Sequence, residues 1–211
     1  MKHIKQIILD HYDYDRIAER KIFKSLRLFK KGGTYNHWRA IRLYCQIRKK
    51  YGCDIWPGIQ IGEGTYISHA QNISIGQTAI IGKNCKIYPS CSIASAIVGD
   101  KEKVARGERR HAKIGDNCIL GEGCCITGKI TIGHDAIIGV GAVVRHDIPA
   151  YAVVVGNPCK IVGFTMRPDE AYENEVNNYP ESERMSLESL EKNYNKYFLS
   201  RLKEIRDYCK S

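Results

Sequence analysis

Nowhere in its 211 residues does the chain carry an apolar run near the ~18 residues that cross a bilayer, so no transmembrane helix is expected. Met1–Asp10 has a short apolar patch at Ile7, Ile8 and Leu9 and no small-residue cleavage site, which argues against a signal peptide. No two of the nine cysteines form a Cys-x-x-Cys pair, so a zinc site is not expected; the chemistry read below calls for no metal. An odd number of scattered cysteines reads as free thiols in a reducing cytoplasm. Cys85, Cys91, Cys118 and Cys124 are read as small packing residues. Acid is absent from Arg20 to Lys50, a segment with eleven Lys or Arg and no Asp or Glu. The formal net charge is +10, which leaves the rest of the chain at −1 (+10 less 11).

What is present is a beat of six. Aliphatic residues recur at Ile55, Ile61, Ile67 and Ile73, then at Ile75, Ile81, Ile87 and Ile93. The beat resumes at Ile114, Leu120, Ile126, Ile132, Ile138 and Val144. Helices repeat near 3.6 residues and plain strands at 2. A period of six fits a short strand, a corner and another short strand, with one large side chain per rung turned inward. That is the hexapeptide form of a parallel β-helix, a mainly β fold. Glycines such as Gly62, Gly76 and Gly115 follow the beat and suit tight corners.

The flanks read differently. Residues 1–53 are predicted to be a helical N-terminal extension, with Ile22, Phe23, Leu26 and Phe29 on one face. Gly32–Gly33 ends that helix. Thr34 or Asn36 caps a second one, whose face carries Trp38, Ile41, Tyr44 and Cys45. Residues 54–165 form the β-helix domain, broken at 94–112 by a charged stretch expected to leave the wall as a loop. Residues 166–211 form a helical tail with Leu187, Leu190, Tyr194, Tyr197, Arg201, Leu202 and Ile205 along one side. Two readings stand for residues 20–50: a solvated helical face, or a surface that meets anionic membrane lipid or anionic glycan. Nucleic acid is not expected.

A solenoid is a scaffold, so chemistry falls to its polar exceptions. His69 lies two residues past an inward Ile, and His111 ends the charged stretch after Arg109 and Arg110. Asp54 precedes His69 by fifteen residues. With about eighteen residues per coil, the two fall near one edge of adjacent coils. A carboxylate beside an imidazole fixes its tautomer and raises its basicity, as a general base requires. His3, His11, His37, His134 and His146 have no such setting and are read as structural.

Several of these runs resemble serine O-acetyltransferases, of the hexapeptide-repeat acyltransferase family. They are Asp54-Ile-Trp-Pro-Gly-Ile-Gln-Ile-Gly-Glu-Gly, Ser68-His69-Ala70, Ile75-Gly76-Gln77-Thr78-Ala79 and Arg110-His111-Ala112-Lys113-Ile114. Ile138-Gly-Val-Gly-Ala-Val-Val and Gly156-Asn157-Pro158-Cys159-Lys160-Ile161-Val162-Gly163 belong with them. The resemblance spans residues 54–163. It implies a left-handed β-helix, acetyl-CoA as cosubstrate, and a homotrimer with active sites between subunits. It makes His69 the general base and Asp54 its partner. By the same resemblance His111 lines the acceptor pocket from across the interface, and Arg110 holds the acceptor's carboxylate. Pantetheine is expected along Gly121, Glu122, Gly139, Val140 and Gly141, with Lys160 near the CoA phosphates.

Two positions depart from the family's pattern. Ser68 stands where the family has an aspartate that helps bind serine, and Gln77 replaces the glutamate of Gly-Glu-Thr-Ala. Both remain substrate-binding candidates. The expected reaction is direct. His69 takes the proton of an acceptor hydroxyl, the oxygen attacks the thioester, and a hydrogen-bond donor stabilises the oxyanion. The main reading is a serine acetyltransferase-like O-acetyltransferase. The alternatives are an O-acetyltransferase of capsule or exopolysaccharide sugars, an amino-sugar N-acetyltransferase, and a non-catalytic scaffold. Loss of both acids predicts weak serine binding.

Overall fold

The structure is a computed structural model that describes residues 2–96 and 108–208, with side chains described for 16–96 and 108–199. Two helices open it, α1 (Lys2–Lys31) and α2 (Thr34–Tyr51), packed as a hairpin with α2 against the first strand. Gly32 and Gly33 make the break at φ 69 and 80. The cap is Gly33, without a side-chain bond, and neither Thr34 nor Asn36 takes that role. Asn36 Nδ2 instead donates back to Gly32 O at 3.0 Å. The face expected for α2 is also rotated. Ala40, Ile47 and Tyr51 are buried, whereas Trp38 is 57% exposed and Cys45 is exposed. The seam explains this: Ser25 Oγ donates to Ala40 O at 2.8 Å across the hairpin. Small side chains allow that approach, and a tryptophan there would hold the helices apart.

Short strands then build a three-faced coil. The first face stacks strands beginning at Asp54, Ser74, Ser92, Cys125 and Val143. The second stacks those at Gln60, Ile80, Lys113 and Thr131. The third stacks those at Tyr66, Lys86, Ile119, Ile137 and Ala152. Pairing is parallel and joins equivalent rungs, such as Ile55 with Ile75 and Ile87 with Leu120. Every position of the six-residue beat is buried except Ile61, which is half-buried against the same core. Each such burial stabilises by roughly 1.5–3 kcal/mol. Many of the inner corner positions hold small residues: Ala79, Cys85, Cys91, Ala112, Cys118 and Cys124 are each 1% exposed or less, while Ile59, Ile73, Ile130 and Ile148 fill others. The repeat cysteines are therefore packing residues with free thiols.

A regular coil takes 18 residues, from Ser74 to Ser92 or from Cys125 to Val143. Asp54 to Ser74 takes 20, and the two extra residues fall in the corner 68–73. Ser92 to Cys125 takes 33 and contains the charged stretch. That excursion is shorter than 94–112, because Ala94 is still in a strand and Ala112 is already buried in the wall. Residues 97–107 lie outside those described.

An antiparallel strand, Lys160–Phe164, follows the last coil. Then come α3 (Pro168–Asn178) and α4 (Leu187–Tyr208). Helix α4 lies on that strand and on α3, with Leu190 buried and Tyr194 and Tyr197 against the Phe164 ring. The side chains of Arg201, Leu202 and Ile205 are outside the described set. Glu175, 0% exposed, ties α3 to the wall. It accepts from Tyr151 O–H and from Met185 N–H, each at 2.9 Å, and stands 3.1 Å from His134 Nε2. Among the described residues, no helix is long and apolar enough to cross a membrane.

Candidate active site

Four corners stack along the edge between the third and first faces. Ser90 N–H donates to Gln71 O at 3.0 Å, Gly123 N–H to Pro89 O at 3.0 Å, and Gly141 N–H to Glu122 O at 2.8 Å. This ladder puts the corners of His69, Glu122 and Val140 in one column. His69 is exposed, sits in the longer corner and has φ 43. Ser90 in the next corner and Asn84, Asn117 and Asp135 in others share this left-handed conformation, at φ 53–58, so it belongs to the corner geometry; what sets the His69 corner apart is its two extra residues. Ser68 beside it is 8% exposed. Gly121 is required by close approach, since a Cβ there would lie 2.8 Å from the backbone of Gly139. Val140, Gly141, Glu122 and Lys160 are exposed along this edge.

Asp54 opens the first face at the same edge, one coil earlier, with its N–H donating to Ile73 O at 2.7 Å. Its carboxylate is engaged from α2. Tyr44 O–H donates to Oδ1 at 2.5 Å, and Arg48 Nη2 stands 3.7 Å from Oδ2. Burial and this carboxylate push the Tyr44 phenol above its ordinary pKa, so it stays a donor. The sequence does not point to Tyr44 or Arg48, because the period of a helix carries no information about the rung it meets.

The opposite edge of the first face holds the other histidine. His111 is 6% exposed, and its ring lies directly over Gly76. Its Nδ1 accepts from Thr78 O–H at 2.8 Å and from Thr78 N–H at 3.3 Å. Nδ1 therefore carries no proton, and Nε2 does. Thr78 Oγ1 in turn accepts from Arg110 N–H at 2.9 Å and His111 N–H at 3.3 Å. Burial first, then the Arg110 charge, hold the imidazole below its ordinary pKa. At neutral pH the ring is a neutral donor at Nε2. Arg109 Nη1 fastens the segment by donating to His111 O at 2.9 Å and Ile130 O at 3.2 Å. Arg110 is different: the side chain is half-buried, and its Nε is buried with no hydrogen-bond partner among the described residues. A buried cationic donor left unpaired calls for an anion. Gln77, in the Gly76–Thr78 corner, is exposed. Thr78 and Gly76 emerge here as supports of His111; in the sequence they read only as parts of a corner.

Within one chain, then, His69 and His111 stand on opposite edges of the first face. Among the described residues no group of three or more His, Cys, Asp or Glu is placed to hold a metal ion.

No family model matches the chain. Over 141 residues it is 38% identical to the serine acetyltransferase of Mycobacterium tuberculosis, covering 63% of this chain and 58% of that one. Over 140 residues it is 34% identical to serine acetyltransferase 4 of Arabidopsis thaliana, covering 62% and 35%. The crystal structure of serine acetyltransferase from Neisseria gonorrhoeae matches with a TM-score of 0.61 and 32% identity, over 71% of this chain and 54% of that one. The same gonococcal enzyme in complex with serine matches at TM-score 0.57 and 33% identity, over 68% and 54%. A serine acetyltransferase in complex with CoA matches at 0.58 and 28%, over 69% and 55%. The chain spans 35% and 58% of the two curated relatives, and about half of the solved structures. Over the part they share, the chain is serine acetyltransferase-like in sequence and in fold.

Proposed function

We propose that the chain is an acetyl-CoA-dependent O-acetyltransferase of the serine acetyltransferase type. One observation carries the proposal, the pairing of two edges of one face. The first edge has an exposed histidine in a lengthened corner. The second has a neutral histidine locked as its Nε2–H tautomer beside Arg110, whose buried Nε has no hydrogen-bond partner among the described residues. A left-handed coil assembled as a homotrimer sets the first edge of one subunit against the second edge of the next. His69 and Asp54 then share a site with the neighbour's copies of His111 and Arg110.

In this site His69, oriented by Asp54, withdraws the proton of the acceptor hydroxyl. The oxygen attacks the thioester carbonyl, and the tetrahedral oxyanion collapses with loss of CoA thiolate, which recovers the proton. His111 Nε2–H is a preset donor facing the reacting groups. Pantetheine follows the column of Gly121, Glu122, Gly139, Val140 and Gly141 toward Lys160. Residues 54–165 form the catalytic domain, 1–53 an extension and 166–211 a tail, in a cytoplasmic enzyme.

A second reading concerns the acceptor. Ser68 and Gln77 are uncharged where the family's pattern has acids, so the ammonium group of serine lacks its partners. Arg110 still asks for an anion. A sugar hydroxyl on an acidic glycan meets both conditions. Release of thiol from acetyl-CoA, measured against serine and a panel of neutral and acidic sugars, tests both readings. The expected result is acceptor-dependent release, with a high KM for serine and a better kcat/KM for a sugar. No release with any acceptor would overturn the enzyme assignment. A serine KM in the millimolar range or below, with every sugar inert, would restore plain serine acetylation.

A further inference from the structure

We infer that the outer face of the α1–α2 hairpin is a docking surface for an anionic lipid bilayer. This inference is independent of the reaction proposed above. From Arg20 to Lys50 the chain holds eleven Lys or Arg and no acid. Ala40, Ile47 and Tyr51 take the inward side of α2. At 100° per residue, Tyr35, Trp38, Arg42 and Lys49 fall on the opposite side. There Tyr35 is 69% exposed and Trp38 57%. The Arg39 guanidinium stands over the Tyr35 ring and that of Arg42 over the Trp38 ring, each 5.5 Å from the centroid. Lys24 of α1 lines the same cleft.

Exposed Trp and Tyr interleaved with Arg and Lys form the side-chain set of a bilayer's interfacial layer. The rings lie at the boundary of head groups and acyl chains, and the cations meet phosphates. Attraction to an anionic leaflet grows with each cation near it, so a segment without acids accumulates affinity. A second copy of this chain is a poor occupant, because two such surfaces repel. Single-stranded nucleic acid binds by stacking bases on open aromatic faces, and here each ring has one face covered by its own arginine.

The test uses the full chain carrying Trp56→Phe, which leaves Trp38 as the sole tryptophan of the two. It is mixed with vesicles of phosphatidylcholine alone or with phosphatidylglycerol added. Co-sedimentation and a blue shift of Trp38 emission are expected only with phosphatidylglycerol. Affinity should fall at least tenfold from low to high salt as screening sets in. It should also fall at least tenfold in the Arg39→Glu, Arg42→Glu double variant with helix content unchanged. Equal binding to neutral vesicles, no binding at low salt, or indifference to the charge reversals would overturn the inference. So would a change in subunit assembly caused by the double variant, or tighter binding to an oligonucleotide that the same variant loses.

Discussion

Gly76→Ala is the sharpest probe of the second edge. Gly76 is not among the glycines with positive φ, so its backbone accepts a side chain. What the new methyl meets is the His111 ring, with Nε2, Cδ2 and Cε1 all nearer than 3.0 Å. At Gly62 and Gly133 an added carbon would instead strike the backbone of the next coil. In Gly76→Ala the ring must swing away, which breaks its 2.8 and 3.3 Å bonds to Thr78. Two hydrogen bonds at about 1 kcal/mol each, plus about 1–2 kcal/mol of crowding, give a loss of about 3–4 kcal/mol. In a His111→Ala background the space is empty, and the same substitution should cost under about 1 kcal/mol. Denaturant unfolding of the four proteins measures that coupling. Thiol release from acetyl-CoA then asks whether the displaced ring matters, and a fall in kcat/KM of about tenfold or more is expected. An equal stability cost in both backgrounds would show that the glycine serves the backbone and not the ring. Wild-type turnover in Gly76→Ala would remove His111 from the site.

His69→Ala should lower turnover about a hundredfold, the usual scale for a general base, with little change in stability because the side chain is exposed; turnover left intact would mean that another group is the base. Glu175→Ala strands Met185 N–H, leaves Tyr151 O–H only the long 3.5 Å bond to Ala171 O, and removes the carboxylate beside His134. It should cost about 3–5 kcal/mol and make 179–187 the first segment cut in limited proteolysis, whereas an unchanged unfolding midpoint would refute the role given to Glu175. Burial alone would raise Asp135, but the hydrogen bonds from His134 and Tyr179, with the His134 charge, hold it below the ordinary carboxylate value. Its contribution is therefore present above the unfolded pKa and lost as pH falls through the folded one, so stability should drop below about pH 4 and less so in Asp135→Asn. His111 is also depressed, so the unfolded chain takes its proton first. Stability should rise with pH up to about 6.5, and His111→Ala should flatten that rise in a pH series of unfolding curves.

The coil is written in the sequence because an inward side chain on each rung is a one-dimensional pattern. The shift of the beat from Ile73 to Ile75 even marks the lengthened corner that holds His69. Asp54, His69 and His111 stand out by the same logic, as polar residues against a regular aliphatic ground. Their partners do not. Thr78 locks His111 from 33 positions away, and Tyr44 reaches Asp54 from a helix whose own period points nowhere in particular. The face that α2 buries was decided by the small residues Ser25 and Ala40 meeting in a seam, so the larger Trp38 was left outside with its arginines. His134, unremarkable in the sequence, is held by Glu175 of a helix 41 positions later. Periodicity records which way each side chain points within its own element. Which element it then meets depends on how the coils close and where the helices come to rest, and only the tertiary structure contains that.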